Sequence, residues 1–505
     1  MIAYVSHVRR LIGVIALIAV AGCATFEPLR SHLSSAVTER RDSAIWYTAL
    51  DSAVEDAGVR DVQSIRVGGF PYLRADRFSA ALRDDARSDD LALEDLVDRL
   101  VEQDLTARGY EFANLPVERQ RTLLASLNET SVAAPMRRTR ECALALRRTD
   151  MAEPALRMAL LERLVIPDNY VTAHRVIGFY ALTRIPFSAG VRRHFEEVRA
   201  AYRRDLAASA KGVVVRYSPP AQPRADPREA HAIFERTARG PLQVPEPDAD
   251  ELDTLFAAYA PSFEIETTGD YDRPGALRWG SGSRPEVDAA KPVVYRQVAH
   301  TRYRGSNLLQ LVYTIWFSAR PPQVPSDLLA GALDGVVFRV TLAPDGSPLV
   351  YDTKHPCGCY HMFFTTPRAL LLPAPAPASE PEWAFIPQGP VAPEPGERLV
   401  VRVASGTHYV KRLYGDRADG LARYVFRPYD ELRALPRITG GTRSVFGPDG
   451  QIAGTDRPEA WLFRPMGVAN AGSMRQWGSH ATAFVGRRHI DDADLFERRF
   501  MLELK

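Results

Sequence analysis

The chain has 505 residues but only four cysteines, Cys23, Cys142, Cys357 and Cys359, and so few cross-links are not the framework of its fold. Lysine is scarcer still for a chain with 64 cationic residues: only Lys211, Lys291, Lys354, Lys411 and Lys505 occur, and the rest are arginine. No long block of like charge is present, and the net charge is +2. Nucleic-acid binding needs clustered basic surface, so that class is excluded. The apolar stretch at residues 11–21 has eleven residues, short of the about 20 that a bilayer-spanning helix needs. With 46% hydrophobic and 25% charged residues, the bulk has the composition of a water-soluble globular protein. There is no internal repeat.

What the sequence does have begins at its start. Arg9 and Arg10, with no acid before them, precede the apolar stretch, and small residues close it. This is the layout of a secretory signal peptide. The closing residues Val20-Ala21-Gly22-Cys23 resemble the lipobox of bacterial lipoproteins. The resemblance implies that the Cys23 thiol carries diacylglycerol, that residues 1–22 are cut away, and that the new amino terminus is acylated. It makes a membrane the implied partner, through the lipid on Cys23. Residue Ala24 is not the aspartate that favours inner-membrane retention in such proteins, which points to the outer membrane, facing the periplasm. Several acyl chains, at about 0.8 kcal/mol per buried methylene, make such an attachment effectively permanent.

The remaining chain is long enough for two or three domains. A tether at 23–42 leads into a helical domain expected over 43–205. Its clearest helix starts at Asp89 or Asp90 and carries Leu93, Leu96, Val97, Leu100, Val101 and Leu105 on one stripe, with Gly109 as the expected stop. Further helices follow Pro154 and span residues 191–202. Cys142 lies on such a pattern and reads as a small buried residue. Seven prolines between 217 and 247 mark a linker over 206–250. Beyond it the hydrophobic period changes to two. Residues 293–303 and 308–317 read as a long hairpin whose second arm is apolar on both faces, hence a central strand. A second hairpin turns at Pro344-Asp345-Gly346. Nine prolines over 367–395 make a surface loop within the β-rich domain, 251–505. The fold class expected is α+β: a helical N-terminal domain followed by an antiparallel β-rich C-terminal domain.

One segment could carry chemistry. His355-Pro356-Cys357-Gly358-Cys359-Tyr360-His361 places two cysteines and two histidines at alternate positions just past a strand. On a straight strand they would share a face, yet at about 3.3 Å per residue the end histidines would lie about 20 Å apart. One ion needs the chain to fold, and Gly358 permits that. Three readings stay open. The first is a metal site with His355, Cys357, Cys359 and His361 as ligands, and His300 or His480 as additions; thiolate with neutral imidazole suits zinc or copper. The second is a Cys357–Cys359 disulfide in a non-enzymatic envelope lipoprotein that docks through its helical domain. The third is a thiol-dependent enzyme using Cys357 or Cys359 with His361 or His355 as base. The metal site is the leading expectation. Haem attachment is excluded, because Cys-x-x-Cys-His is not the spacing present.

Overall fold

The computed structural model describes residues 32–126, 131, 133–220, 227–375 and 382–505. The signal peptide and lipobox, Cys23 included, lie outside the described residues, as do 221–226 of the expected linker and 376–381 of the proline-rich loop. The chain divides into two compact units, one made of residues up to Gly58 with Ser64–Ile166, the other of Val59–Gln63 with Pro167–Lys505. The architecture is α+β: a helical N-terminal region is followed by β-rich sheets. No described helix is long and apolar enough to cross a membrane.

In the first unit, helix α1 (Thr38–Ala57) is followed by a short hairpin of β1 (Ile65–Val67) and β2 (Phe70–Ala75). Helices α2 (Asp90–Asn114), α3 (Ala134–Met151) and α4 (Pro154–Arg163) belong to it, together with helices at Arg77–Ala81, Arg83–Ser88 and Val117–Ser126. Asp89 caps α2 by accepting the Leu91 N–H, and the expected stripe from Leu93 to Leu105 is buried. The helix does not stop at Gly109, however. Its last turn is held by charge, because Glu111 accepts from Arg74 at 2.7 Å and pairs with Arg108 at 3.3 Å. Asp104 joins the same arginines at 3.0 and 3.3 Å, which makes a fully buried ion network. Cys142 is 1% exposed on α3, as its helical pattern implied.

The second unit opens with α5 (Thr172–Ile177) and α6 (Tyr180–Tyr202). Tyr202 is part of a β-sheet core, its hydroxyl donating to the Val410 carbonyl at 2.7 Å, so this helix belongs with the strands rather than with the helical domain. The expected linker likewise contributes structure: β3 (Val213–Ser218), α7 (Pro227–Arg236) and the start of α8 (Ala249–Ala258). Then follow β4 (Ser262–Thr267), β5 (Val293–Tyr303), β6 (Ser306–Arg320), β7 (Gly331–Leu342), β8 (Pro348–Lys354), β9 (Met362–Thr365), β10 (Arg398–Val403), β11 (Val410–Asp416), β12 (Ala422–Arg423) and β13 (Val425–Pro428). A six-stranded sheet has the order β9-β8-β7-β6-β5-β13, and a five-stranded sheet the order β11-β10-β4-β3-β12.

Register decides which side chains meet. In the larger sheet Ile315 pairs with Val336, Arg339 with Asp352, and Thr353 with Met362. One face carries Leu309, Leu311, Tyr313, Ile315, Val336 and Phe338 toward a core shared with Ile265, Val401 and Leu413 of the smaller sheet. The other face carries Val312, Trp316 and Val337 and is covered by the C-terminal stretch through Tyr429, Leu432, Met474, Trp477 and Ile490. Cover on both sides explains why β6 carries apolar residues on both of its faces.

Candidate functional site

Strands β8 and β9 are neighbours, so residues 355–361 must reverse the chain. Gly358 N–H donates to the His355 carbonyl at 2.8 Å, and His355 N–H donates to the Cys359 carbonyl at 3.0 Å. This is a bulged three-residue hairpin: Pro356 fixes the first central torsion, and Gly358, at φ +95°, takes the left-handed third position. A β-carbon at 358 would also lie 2.3 Å from the Ala481 carbonyl oxygen, so glycine is needed for room as well as for torsion.

The turn brings the two thiols together. Cys359 N–H points at Cys357 Sγ, 3.4 Å away, and the Cys359 thiol hydrogen-bonds to the same sulfur. Both cysteines are buried in the core cluster of Trp316, Val337, Met474 and Trp477, and neither forms a disulfide. Burial pushes the Cys357 thiol up, but the Cys359 hydrogen bond and Arg457 outweigh it and hold it below the ordinary thiol range. Cys359 is driven well above that range by donating its proton to Cys357, with burial adding to the effect. Cys357 is therefore the sulfur that ionises first.

Cations surround the pair. Lys354, at the end of β8, interacts electrostatically with Cys357, as does Arg475 with both sulfurs. Burial pulls Lys354 down to about 7, and its amine has no hydrogen-bond partner. Glu459, the first residue of α9 (Glu459–Phe463), acts on both sulfurs with the opposite sign. Burial raises its carboxyl to about 7.

The four residues proposed as metal ligands do not form one set. His355 lies on the sheet face of Val336, and its Nδ1–H donates to Asp334 Oδ1 at 2.9 Å. His361 lies on the opposite face, Nε2 at 3.2 Å from Asp352 Oδ1. The sheet stands between the two imidazoles. Neither ring is hydrogen-bonded to a sulfur; His355 Nε2 and His361 Nδ1 have no partner. Of the additional candidates, His480 reaches the hairpin, with Nε2 2.8 Å from the Pro356 carbonyl. His300 contacts the Pro245 carbonyl at 3.1 Å, about five strand residues (about 16 Å) along β6 from the level of Lys354. Among the described residues, no three His, Cys, Asp or Glu side chains converge to hold a metal ion.

On the His355 face the sequence reading missed a buried chain of charges. Asp334 Oδ2 meets His408 Nδ1 at 2.9 Å, and His408 Nε2 lies 3.3 Å from Asp272. Burial opposes ionisation of Asp334, but His355 and His408 overcome it and hold the carboxyl well below its usual range. Burial likewise opposes a charge on His408, yet Asp272 and Asp334 raise it above an ordinary imidazole. His355 goes the other way, lowered by burial despite Asp334. All four side chains are buried, so the chain of charges ties β7 to the turn before β11 and presents nothing to a substrate. No local spacing pointed to Asp272, Asp334 and His408, because they come from three distant segments.

Among known proteins, no family model matches this chain, and neither a curated protein nor a solved structure is significantly similar to it.

Proposed function

We propose that the protein is a membrane-anchored envelope lipoprotein without an active site of its own, in which Cys357 and Cys359 close to a disulfide that braces the β8–β9 hairpin after export. The observation that carries this reading is the adjacency of the two sulfurs, sealed in the core with Lys354, Arg457 and Arg475 around them. Cations beside a buried pair favour the thiolate that begins disulfide formation and disfavour a divalent metal ion. Closure removes two protons and two electrons from the pair. A small disulfide, or the disulfide of an oxidising protein, takes up the electrons and is reduced to two thiols. Separation of His355 and His361 from the sulfurs argues against the thiol-dependent enzyme, since neither imidazole is hydrogen-bonded to the nucleophile.

A second reading retains zinc or copper on Cys357 and Cys359, and it requires His480 to move onto the pair, since among the described residues no third ligand converges there. One observation favours it: burial, then Lys354 and Arg475, keep His480 neutral, and its Nδ1 is buried without a partner. Metal analysis of protein isolated from the envelope, with thiols counted in denaturant, separates the two. The brace predicts no stoichiometric metal and no reactive Cys357 or Cys359 before reduction. One zinc or copper per chain, with both thiols reactive once it is removed, overturns it.

A further inference from the structure

The second unit leaves an unusual amount of apolar surface exposed around α5, α6 and α9. Val176, Ile177, Phe179, Leu182, Ile185 and Trp461 range from 64% exposed (Ile185) to 76% (Trp461). Soluble monomers rarely leave six large apolar side chains of one region to water. They are held in place rather than dangling. Gly178 packs on Pro465 so closely that a β-carbon would lie 2.6 Å from its Cα, and Phe187 meets Phe463 at 5.6 Å between ring centres. Arg175 donates to the Met466 carbonyl at 2.8 Å and lies over the rings of Tyr170 and Tyr180. Between the helices runs a cleft of about 420 Å³ lined by His174, Ile177, Gly178, Trp461, Arg464 and Pro465. On α6 the exposed apolar residues Leu182, Ile185, Pro186 and Ala189 recur at helical spacing, so the apolar stripe of this part of the helix faces outward.

Charge identifies what covers this surface. From residue 169 to residue 195 there is no Asp or Glu, in a chain with 62 of them, whereas Arg175, Arg184, Arg192 and Arg193 fall in that stretch. Arg192, Arg193 and Arg464 are exposed, and Arg464 sits 5.7 Å from the centre of the Trp461 ring. Exposed arginines around Trp, Phe, Leu and Ile, most of them on a stretch of chain without acid, are what an anionic lipid–water interface takes up: rings and aliphatic chains enter the acyl boundary while guanidinium groups meet phosphate. We propose that α5, the first turns of α6 and α9 form a docking face for the surface of a phospholipid bilayer containing anionic lipid. This contact is separate from any lipid on Cys23 and independent of the thiol pair.

The test uses the chain from residue 24 onward, because the leader and a lipidated cysteine would bind membranes by themselves. It is floated with vesicles of phosphatidylethanolamine and phosphatidylglycerol, and with vesicles of phosphatidylcholine alone. The proposal predicts binding to the anionic vesicles that weakens with salt. Trp461→Ser and Leu182→Ser should each weaken it on the order of tenfold, and R192E with R193E should abolish the preference for anionic lipid. These side chains are exposed, so circular dichroism and the unfolding midpoint should not move. No binding by the parent chain overturns the proposal. So does binding that the variants leave unchanged. A concentration-dependent dimer in solution that Trp461→Ser dissolves also overturns it, since the face would then serve a second copy of the chain.

Discussion

Lys354 and Trp477 meet beneath the β8–β9 hairpin, the lysine amine 5.9 Å from the ring centre and without a hydrogen-bond partner. A buried donor left unsatisfied costs about 1–3 kcal/mol, so removing it should help the fold. Lys354→Met keeps the stem and deletes the amine. The unfolding midpoint in urea should rise, with a gain of about 1–3 kcal/mol. The same change takes a cation from beside Cys357, so that thiol should ionise at higher pH. A fall in stability would show that the amine has a partner after all.

Gly358 tests the turn. Alanine there must adopt a left-handed torsion and push against the Ala481 carbonyl. Together these should cost about 2–5 kcal/mol, read from the same urea midpoint. Because the substitution spreads the hairpin, it should also slow oxidation of Cys357 and Cys359 in the refolded chain. An unchanged midpoint would mean that the bulged loop is not the conformation in solution.

The buried imidazoles set an acid limit. Burial holds His361 at about 3 despite Asp352, well below an exposed imidazole at about 6.5. Between about pH 6.5 and about pH 3 the unfolded chain therefore binds a proton at this residue that the folded chain does not. Stability must fall as pH drops through that window, by about 1.4 kcal/mol per pH unit for each such proton. His355 and His480 shift in the same direction. His408 is the exception: its raised value adds stability below the unfolded pKa and loses it as pH rises through the folded one. Urea midpoints measured across the acid range should fall steeply, and His361→Asn should flatten the slope by one proton.

In the helical unit, Asp104 stands between Arg74 and Arg108 with no exposed surface. Asp104→Ala leaves both guanidinium groups short of a counter-charge in the core. The expected loss is about 3–5 kcal/mol, measured as the drop in unfolding free energy. A near-neutral result would mean that water reaches the network.

The parts of the fold that could be read from sequence are those with local causes. Alternating apolar residues and an Asp345-Gly346 turn placed the β7–β8 hairpin, and the doubly apolar β6 was placed correctly as a central strand. The end of α2 was not legible, because Arg74 of β2 holds its final turn through Glu111 and nothing near Gly109 reports that. The candidate site failed in a specific way. Residues 355 and 361 share a face only on a straight strand, whereas pairing of Thr353 with Met362 sends residues of equal parity on the two strands to opposite faces. Gly358 signalled the fold, but the register that separates the histidines is set by the strands on either side. Lys354, one of five lysines in the chain, ends β8 beside the cysteine hairpin, whereas Arg457, Glu459 and Arg475, which act on the same sulfurs, come from a segment about a hundred residues away.

The state of one short peptide decides the central claim. Protein taken from the envelope without reductant, with free thiols alkylated before digestion, yields the fragment that carries Cys357 and Cys359. The brace predicts a mass two hydrogens below that of the dithiol peptide, with no alkyl group until reductant is added. Two alkyl groups on that fragment before reduction would contradict it.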